Sequence, residues 1–98
     1  MFKFKYTDLS QKDYDRLDNS QKLQVQKSLS KIEEHGMKAG QELYGKLHDC
    51  RKLKHKKLGL RVIFRSSDEG IEIIEIVVVG KRGDNEAYDI AEERLGRN

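Results

Sequence analysis

The longest apolar run of the chain lies near its end and has the composition of a β-strand. Residues 71–79 read IEIIEIVVV, a run of Ile and Val broken only by Glu72 and Glu75. β-branched side chains favour strands, and a membrane-spanning helix needs about 18 or more consecutive apolar residues. The run therefore predicts a long strand, and we expect no membrane span in this chain.

Three shorter segments also predict strands. Phe2, Phe4 and Tyr6 alternate with less apolar neighbours, which is typical of a strand with an aromatic inner face. Residues 50–55 and 59–65 predict two more, separated from each other and from residue 71 by turns short enough for hairpins. The last three strands should therefore run antiparallel in succession.

Helical spacing appears in three other places. We predict a short helix from about Ser10 to Leu17, with Ser10 as its cap. A second helix, capped by Asn19 or Ser20, should end at Gly36, and a third should span residues 84–95. Residues 37–47 predict a connecting loop.

The predicted fold is α+β, with the order β-α-α-β-β-β-α and the helices packed on one face of a mainly antiparallel, curved sheet. The length of 98 residues indicates a single domain over residues 1–98. The one cysteine, Cys50, cannot form an internal disulfide, so we expect a reducing, cytoplasmic environment. No group of His, Cys or carboxylate residues has the spacing of metal ligands, and we expect no metal or other cofactor.

The charges are sorted along the chain. Residues 46–65 contain eight Lys or Arg and one acidic residue, a local net charge of +7. The other 78 residues contain 12 basic and 16 acidic groups, a net charge of −4. Such a concentrated basic segment indicates a polyanionic partner, although a solvated charged face is the alternative.

Strand alternation places the basic residues of this segment together. Lys52 and Lys54 share one face of their strand, and Arg61 and Arg65 share one face of the next. The apolar residues that alternate with them, and that we expect to face the helices, are Leu53, Leu60, Val62 and Phe64. Four like charges on an open face repel one another unless an anion binds there, so this face is a candidate anion site.

Two further groups can join the same face. Lys81 and Arg82 follow the long strand directly, and Tyr88 comes six residues after Arg82. Cations for phosphates beside a flat aromatic ring for an unstacked base are what single-stranded RNA requires. A core contact of the last helix is the alternative role of Tyr88.

The combination of these segments, in this order, resembles the RelE toxins of bacterial type II toxin–antitoxin systems. The segments are KLK at 52–54, GLRVIF at 59–64, VGKR at 79–82 and EAY at 86–88. The resemblance implies an endonuclease that enters the ribosomal A site and cuts the codon there without a metal or cofactor. The 2′-hydroxyl attacks the adjacent phosphorus and leaves a 2′,3′-cyclic phosphate. It also implies a cognate antitoxin protein as partner, besides mRNA and the ribosome, and a location in the bacterial cytoplasm.

The resemblance also implies roles for individual residues. The positions that match the family's active site are Lys52, Lys54, Arg61, Arg82 and Tyr88. The other basic residues expected to contact RNA or the ribosome are Lys46, Arg51, Lys56, Lys57, Arg65 and Lys81. The arginines would stabilise charge on the phosphate, Lys54 is the candidate general base, Arg82 is the family's candidate proton donor, and Tyr88 would orient the nucleotide. An acid or base role for His55 or Glu86 stays open.

Two other functions remain possible from the sequence. ParE-like toxins are a sister group that uses the same fold. They poison DNA gyrase by protein contact and lack the set of basic catalytic residues. A non-catalytic module that binds RNA or operator DNA would use the basic face only to hold phosphates.

Overall fold

The computed structural model describes residues 1–81 and 83–97 and, of Ile71, only the backbone. Its strands are β1 (Lys3–Tyr6), β2 (Gln41–Glu42), β3 (Cys50–His55), β4 (Leu60–Ser67) and β5 (Gly70–Lys81). Its α-helices are α1 (Asp8–Asp15), α2 (Asn19–His35) and α3 (Asp84–Arg94). The predicted α+β class and order of elements are confirmed, with the two-residue strand β2 added.

The five strands form one mixed sheet in the order β1-β5-β4-β3-β2. β3, β4 and β5 pair antiparallel in succession, as the short turns predict, and β2 extends this antiparallel part. β1 is the exception, because it pairs parallel with β5, with Lys3 opposite Ile73 and Tyr6 opposite Ile76. A parallel neighbour needs a long crossover, and α1, α2 and the two antiparallel hairpins provide it.

The helices lie on both faces of the sheet, which corrects the expectation that they share one. α2 packs through Val25, Leu29 and Ile32 against the β4 residues Val62 and Phe64. On the opposite face, α3 belongs to a second apolar cluster, whose buried members are Leu43, Leu47, Cys50, Ile63, Val77, Val78, Ala87 and Ala91. The sheet face that was expected to be open is thus partly covered by α3.

The composition of β5 explains why both faces are covered. Ile74 and the run from Ile76 to Val79 are each at most 1% exposed. A strand with one wet face alternates apolar and polar residues, whereas a strand buried on both faces does not. In the β4–β5 pair, Ile63 lies opposite Val78 and Phe64 lies opposite Ile76, so Val77 is the extra residue of a β-bulge. Because of this bulge, Val77 and Val78 both belong to the α3 cluster.

The free edge of β5 beyond β1 is covered by α1 rather than by another strand. The Ser10 hydroxyl donates to the Ile76 carbonyl at 2.7 Å, and the Val79 amide donates to the Asp13 carboxylate at 3.1 Å. Both side chains are buried. They satisfy backbone groups that would otherwise be left without partners at the sheet edge.

The helix caps differ from the predicted ones by one to three residues. Thr7, not Ser10, caps α1, and Asp18 caps α2; each closes a capping box with the residue three positions later. Gly36 ends α2 as predicted, with φ of 61°, and a Cβ there would lie 2.6 Å from the ring of Phe2. Glycine is needed at this position for both reasons.

The segment predicted to be a loop contains more structure than expected. It forms a 3₁₀ turn at Gly36–Ala39, then β2, then a second 3₁₀ turn at Gly45–Leu47. Leu43 and Leu47 are buried against α3. Among residues 1–81 and 83–97, no helix combines the length and the apolar character that a bilayer span requires.

Candidate functional site

Three of the predicted catalytic residues come together at one end of the β3–β4 hairpin. Lys54 lies directly opposite Arg61, and Lys52, two residues earlier on the same face, lies opposite Ile63. Residues directly opposite each other in an antiparallel pair share a face at close range. The alternation therefore predicts the face correctly, and α3 begins beside this cluster.

Asp84, the first residue of α3, places a carboxylate among the three cations. Its Oδ1 accepts from Arg61 Nε at 2.5 Å and lies 3.3 Å from Lys52 Nζ. Its Oδ2 lies 4.0 Å from Lys54 Nζ. We refer to Lys52, Lys54, Arg61 and Asp84 as the basic cluster; these four groups together carry a net charge of +2. The sequence predicted cations alone here and missed the carboxylate.

Electrostatics agree with this geometry. The hydrogen bond from Arg61, supported by Lys52, holds the pKa of Asp84 below its ordinary value. Burial disfavours the Lys52 ammonium, but its hydrogen bonds to Tyr88 and Asp84 outweigh that cost and raise the pKa of Lys52. Asp84 and Lys52 are both charged near neutral pH.

Tyr88 joins the basic cluster from the next turn of α3. The Lys52 ammonium donates to the Tyr88 hydroxyl at 2.7 Å and lies 5.3 Å from the centre of its ring. The side chain of Tyr88 is half-buried and packs against the apolar cluster that contains α3. Tyr88 is therefore a core contact of α3 in part, and its hydroxyl also reaches Lys52; its role as a site residue stays a prediction.

The other predicted contact residues are more scattered. Four of them have exposed side chains: Lys46, Lys56, Lys57 and Lys81. Lys56 and Lys57 lie in the β3–β4 turn. Arg65 shares the face of Lys52 but is bound to Glu75, with Nε 2.7 Å from Oε2. Arg51 lies on the other face of β3, 3.8 Å from Glu42. The predicted site residue Arg82 lies outside the described residues.

The two histidines next to β3 make hydrogen bonds within the fold. His55 accepts a hydrogen bond from the Leu58 amide and so closes the β3–β4 turn. His48 is exposed in the approach to β3, with Nδ1 3.1 Å from the Gly45 carbonyl. Cys50 is buried, and burial raises the pKa of its thiol to about 11. Within the described ranges, no three His, Cys, Asp or Glu side chains gather as metal ligands would.

Comparison with known proteins identifies the family, although no protein-family model matches the chain. A RelE-like toxin protein of Escherichia coli is 31% identical over 94 residues, which is 96% of this chain and 97% of that protein. A double mutant of the E. coli toxin RelE in the free state superposes with a TM-score of 0.78 at 25% identity, covering 96% of this chain and 97% of that one.

The same toxin mutant has also been solved in complex with a peptide of its antitoxin RelB. It matches with a TM-score of 0.72 at 25% identity, over 92% of this chain and 93% of that one. Sequence identity along nearly the whole length and agreement in fold lead to one conclusion: this chain belongs to the RelE-like toxins.

Proposed function

We propose that the protein is an endoribonuclease toxin that cuts mRNA codons in the ribosomal A site and thereby inhibits translation. The observation that carries the proposal is the basic cluster beside Tyr88: three cations and an aromatic ring around one point of the sheet face. That set suits a phosphodiester with an adjacent unstacked base.

The reaction needs a base, an acid and charge stabilisation. The 2′-oxygen forms a bond to phosphorus, its proton passes to the base, and the bond from phosphorus to the 5′-oxygen breaks as that oxygen gains a proton. Negative charge grows on the non-bridging oxygens, and Arg61 and Lys52, which Asp84 holds side by side, are the cations proposed to stabilise it. Lys54, the most exposed of the three cations, is the proposed base in its neutral form. Arg82 keeps the proton-donor role that the family resemblance implies.

Tyr88 and Asp84 have supporting roles in this proposal. The Tyr88 hydroxyl fixes the Lys52 ammonium, and its ring is available to orient a nucleotide. The Asp84 carboxylate occupies the place among the cations where a phosphate oxygen would bind, so the phosphate must displace or share it. Asp84 keeps Arg61 and Lys52 in position until RNA binds.

A cognate antitoxin is the proposed regulator. The E. coli relative has been solved with its antitoxin peptide, and the +7 segment of this chain would attract an acidic partner. A toxin of this kind acts where ribosomes are, in the bacterial cytoplasm.

Replacing Asp84 by asparagine should strengthen the binding of RNA. The change removes one negative charge from a site that binds an anion, so we expect affinity for a 2′-O-methyl hexanucleotide, which cannot be cleaved, to rise about three- to tenfold. Fluorescence anisotropy at several salt concentrations measures this. Asp89→Asn is the matched control, since Asp89 is exposed on the same helix and the charge change is identical. Weaker binding by D84N would mean that the carboxylate mainly organises the cations.

Primer extension on a translated message tests the function itself. In a reconstituted translation reaction we expect cuts inside A-site codons that require both the protein and ribosomes, and that disappear with Arg61→Ala. Cuts without ribosomes would indicate a free ribonuclease. An intact message with persistent growth arrest would favour the gyrase-poisoning alternative, and an intact message without toxicity would favour a plain binding module.

A further inference from the structure

A groove of about 350 Å³ opens beside the basic cluster, between residues 41–47 and α3. Leu43 and Leu47 provide buried apolar surface, Tyr44 lines the groove from the connecting segment, and Tyr88 and Glu92 line it from α3. Its volume is in the range of small-molecule sites, about 300–1,000 Å³. The function proposed above assigns no role to Leu43, Tyr44, Leu47 or Glu92.

Lys52 connects the groove to the basic cluster. Its side chain lines the groove, while its ammonium lies 3.3 Å from Asp84 and 2.7 Å from the Tyr88 hydroxyl. An RNA whose phosphate bound the cluster would present an adjacent nucleotide to the entrance of the groove. The two surfaces are continuous.

Tyr44 is a large aromatic residue of the groove that is left in solvent. Its side chain is 81% exposed, and its hydroxyl makes no hydrogen bond within residues 1–81 and 83–97. It stands between two buried leucines, so its backbone is held while its ring is left in solvent. A tyrosine ring is a good stacking surface because it offers a large flat area and only two side-chain torsions are ordered on binding.

The charges of the groove favour a base over an acidic peptide. Glu92, one helical turn after Tyr88, and Glu42 both line the groove and would repel an acidic chain. A carboxylate accepts hydrogen bonds from exocyclic amino groups, which cytosine, adenine and guanine carry and uracil lacks.

We propose that this groove is a nucleobase subsite, in which Tyr44 stacks on the base next to the phosphate held by the basic cluster and Glu92 selects bases with an amino group. The proposal rests on the proposed function, since it takes the cluster to be the phosphate site. It assigns the specificity of the site to the connecting segment and to α3.

Binding of uncleavable oligonucleotides tests the subsite separately from cleavage. We expect 2′-O-methyl hexacytidylate to bind more tightly than the hexauridylate, and Tyr44→Ala to weaken hexacytidylate binding about tenfold. Glu92→Leu should bring the two affinities together. An abasic backbone of the same length should bind equally to the unaltered protein and to Y44A, because it has no base to stack. Leu23→Ala, which removes an exposed apolar side chain of α2, is the control.

Three results would overturn the subsite. One is unchanged hexacytidylate binding by Y44A, and another is an equal loss on the abasic backbone, which would assign Tyr44 to the fold or the phosphate site. The third is no measurable binding of hexacytidylate by the unaltered protein. Failure of the nuclease proposal has a different signature, namely normal oligonucleotide binding with an intact message in the translation reaction.

Discussion

Replacing Lys54 by methionine should slow the cleavage step at least 100-fold while leaving the fold intact. General base catalysis typically contributes 10²- to 10⁴-fold, and methionine keeps most of the length of the side chain without its amine. Lys54 is exposed and lies 4.0 Å from the Asp84 carboxylate, so among the described residues the change breaks no ion pair shorter than that. Single-turnover cleavage on ribosomes programmed with a defined A-site codon measures the effect.

The variant Lys54→Arg distinguishes two roles of Lys54, a general base and a cation that only stabilises charge. Arginine keeps the positive charge but does not give up its proton at usable pH. If Lys54 is the base, the arginine variant should be as slow as the methionine variant; recovery of the rate would assign Lys54 to charge stabilisation instead. Lys31→Met, an exposed lysine on α2 across the sheet from the cluster, is the control for loss of charge.

The positions of these cations follow from local rules. Strand alternation and a short turn are enough to place Lys54 opposite Arg61 and to direct Lys52 to the same face. Register over a few residues is a local property, so a single sequence carries it. The long strand, the antiparallel succession and the helix stop at Gly36 are predictable for the same reason.

The position of Asp84 in the basic cluster could not be predicted from the sequence, because it depends on where α3 packs. The sequence places Asp84 at a helix start, where a carboxylate is common because of the helix dipole. Its position among three cations arises only because α3 lies against the face that carries them. The available signal was β5, whose apolar run from Ile76 to Val79 does not alternate and so indicates cover on both faces; α3 covers the second face.

The long-range partners of Asp13 illustrate the same limit. Its carboxylate binds Arg94, 81 residues away, through Arg94 Nη1 at 2.6 Å and Nη2 at 3.0 Å. No local pattern predicts a pair that forms around the edge of a sheet, between helices on opposite faces.

This pair connects the fold to the site. Arg94 also donates to the Val77 carbonyl at 2.9 Å, so one guanidinium joins α3, the β5 bulge and α1. A second pair, Arg97 with Asp49, anchors the chain just beyond α3 and lowers the pKa of Asp49 to about 2. Because α3 carries both Asp84 and Tyr88, these anchors fix the geometry of the basic cluster.

Replacing Asp13 by alanine should therefore cause a large loss of stability, about 3–5 kcal/mol in the free energy of unfolding. The Asp13 side chain is 3% exposed and that of Arg94 is 17% exposed, so the change leaves an almost buried guanidinium whose one remaining acceptor within residues 1–81 and 83–97 is the Val77 carbonyl. It also leaves the Val79 amide without its acceptor. Urea unfolding monitored by circular dichroism measures the loss as a lower midpoint at an unchanged slope.

Asp15→Ala is the matched control for this loss, because Asp15 is exposed on the same helix and accepts only from Gln11 among the described residues. We expect it to change stability by less than about 0.5 kcal/mol.

The double variant Asp13→Leu with Arg94→Leu distinguishes two causes of the loss: a guanidinium buried without its carboxylate, and an α3 helix no longer held in position. Removing both partners with apolar groups should recover part of the stability, but RNA cleavage should stay impaired if the pair positions α3. A fully stable D13A would mean that the pair contributes nothing to holding α3 on the sheet.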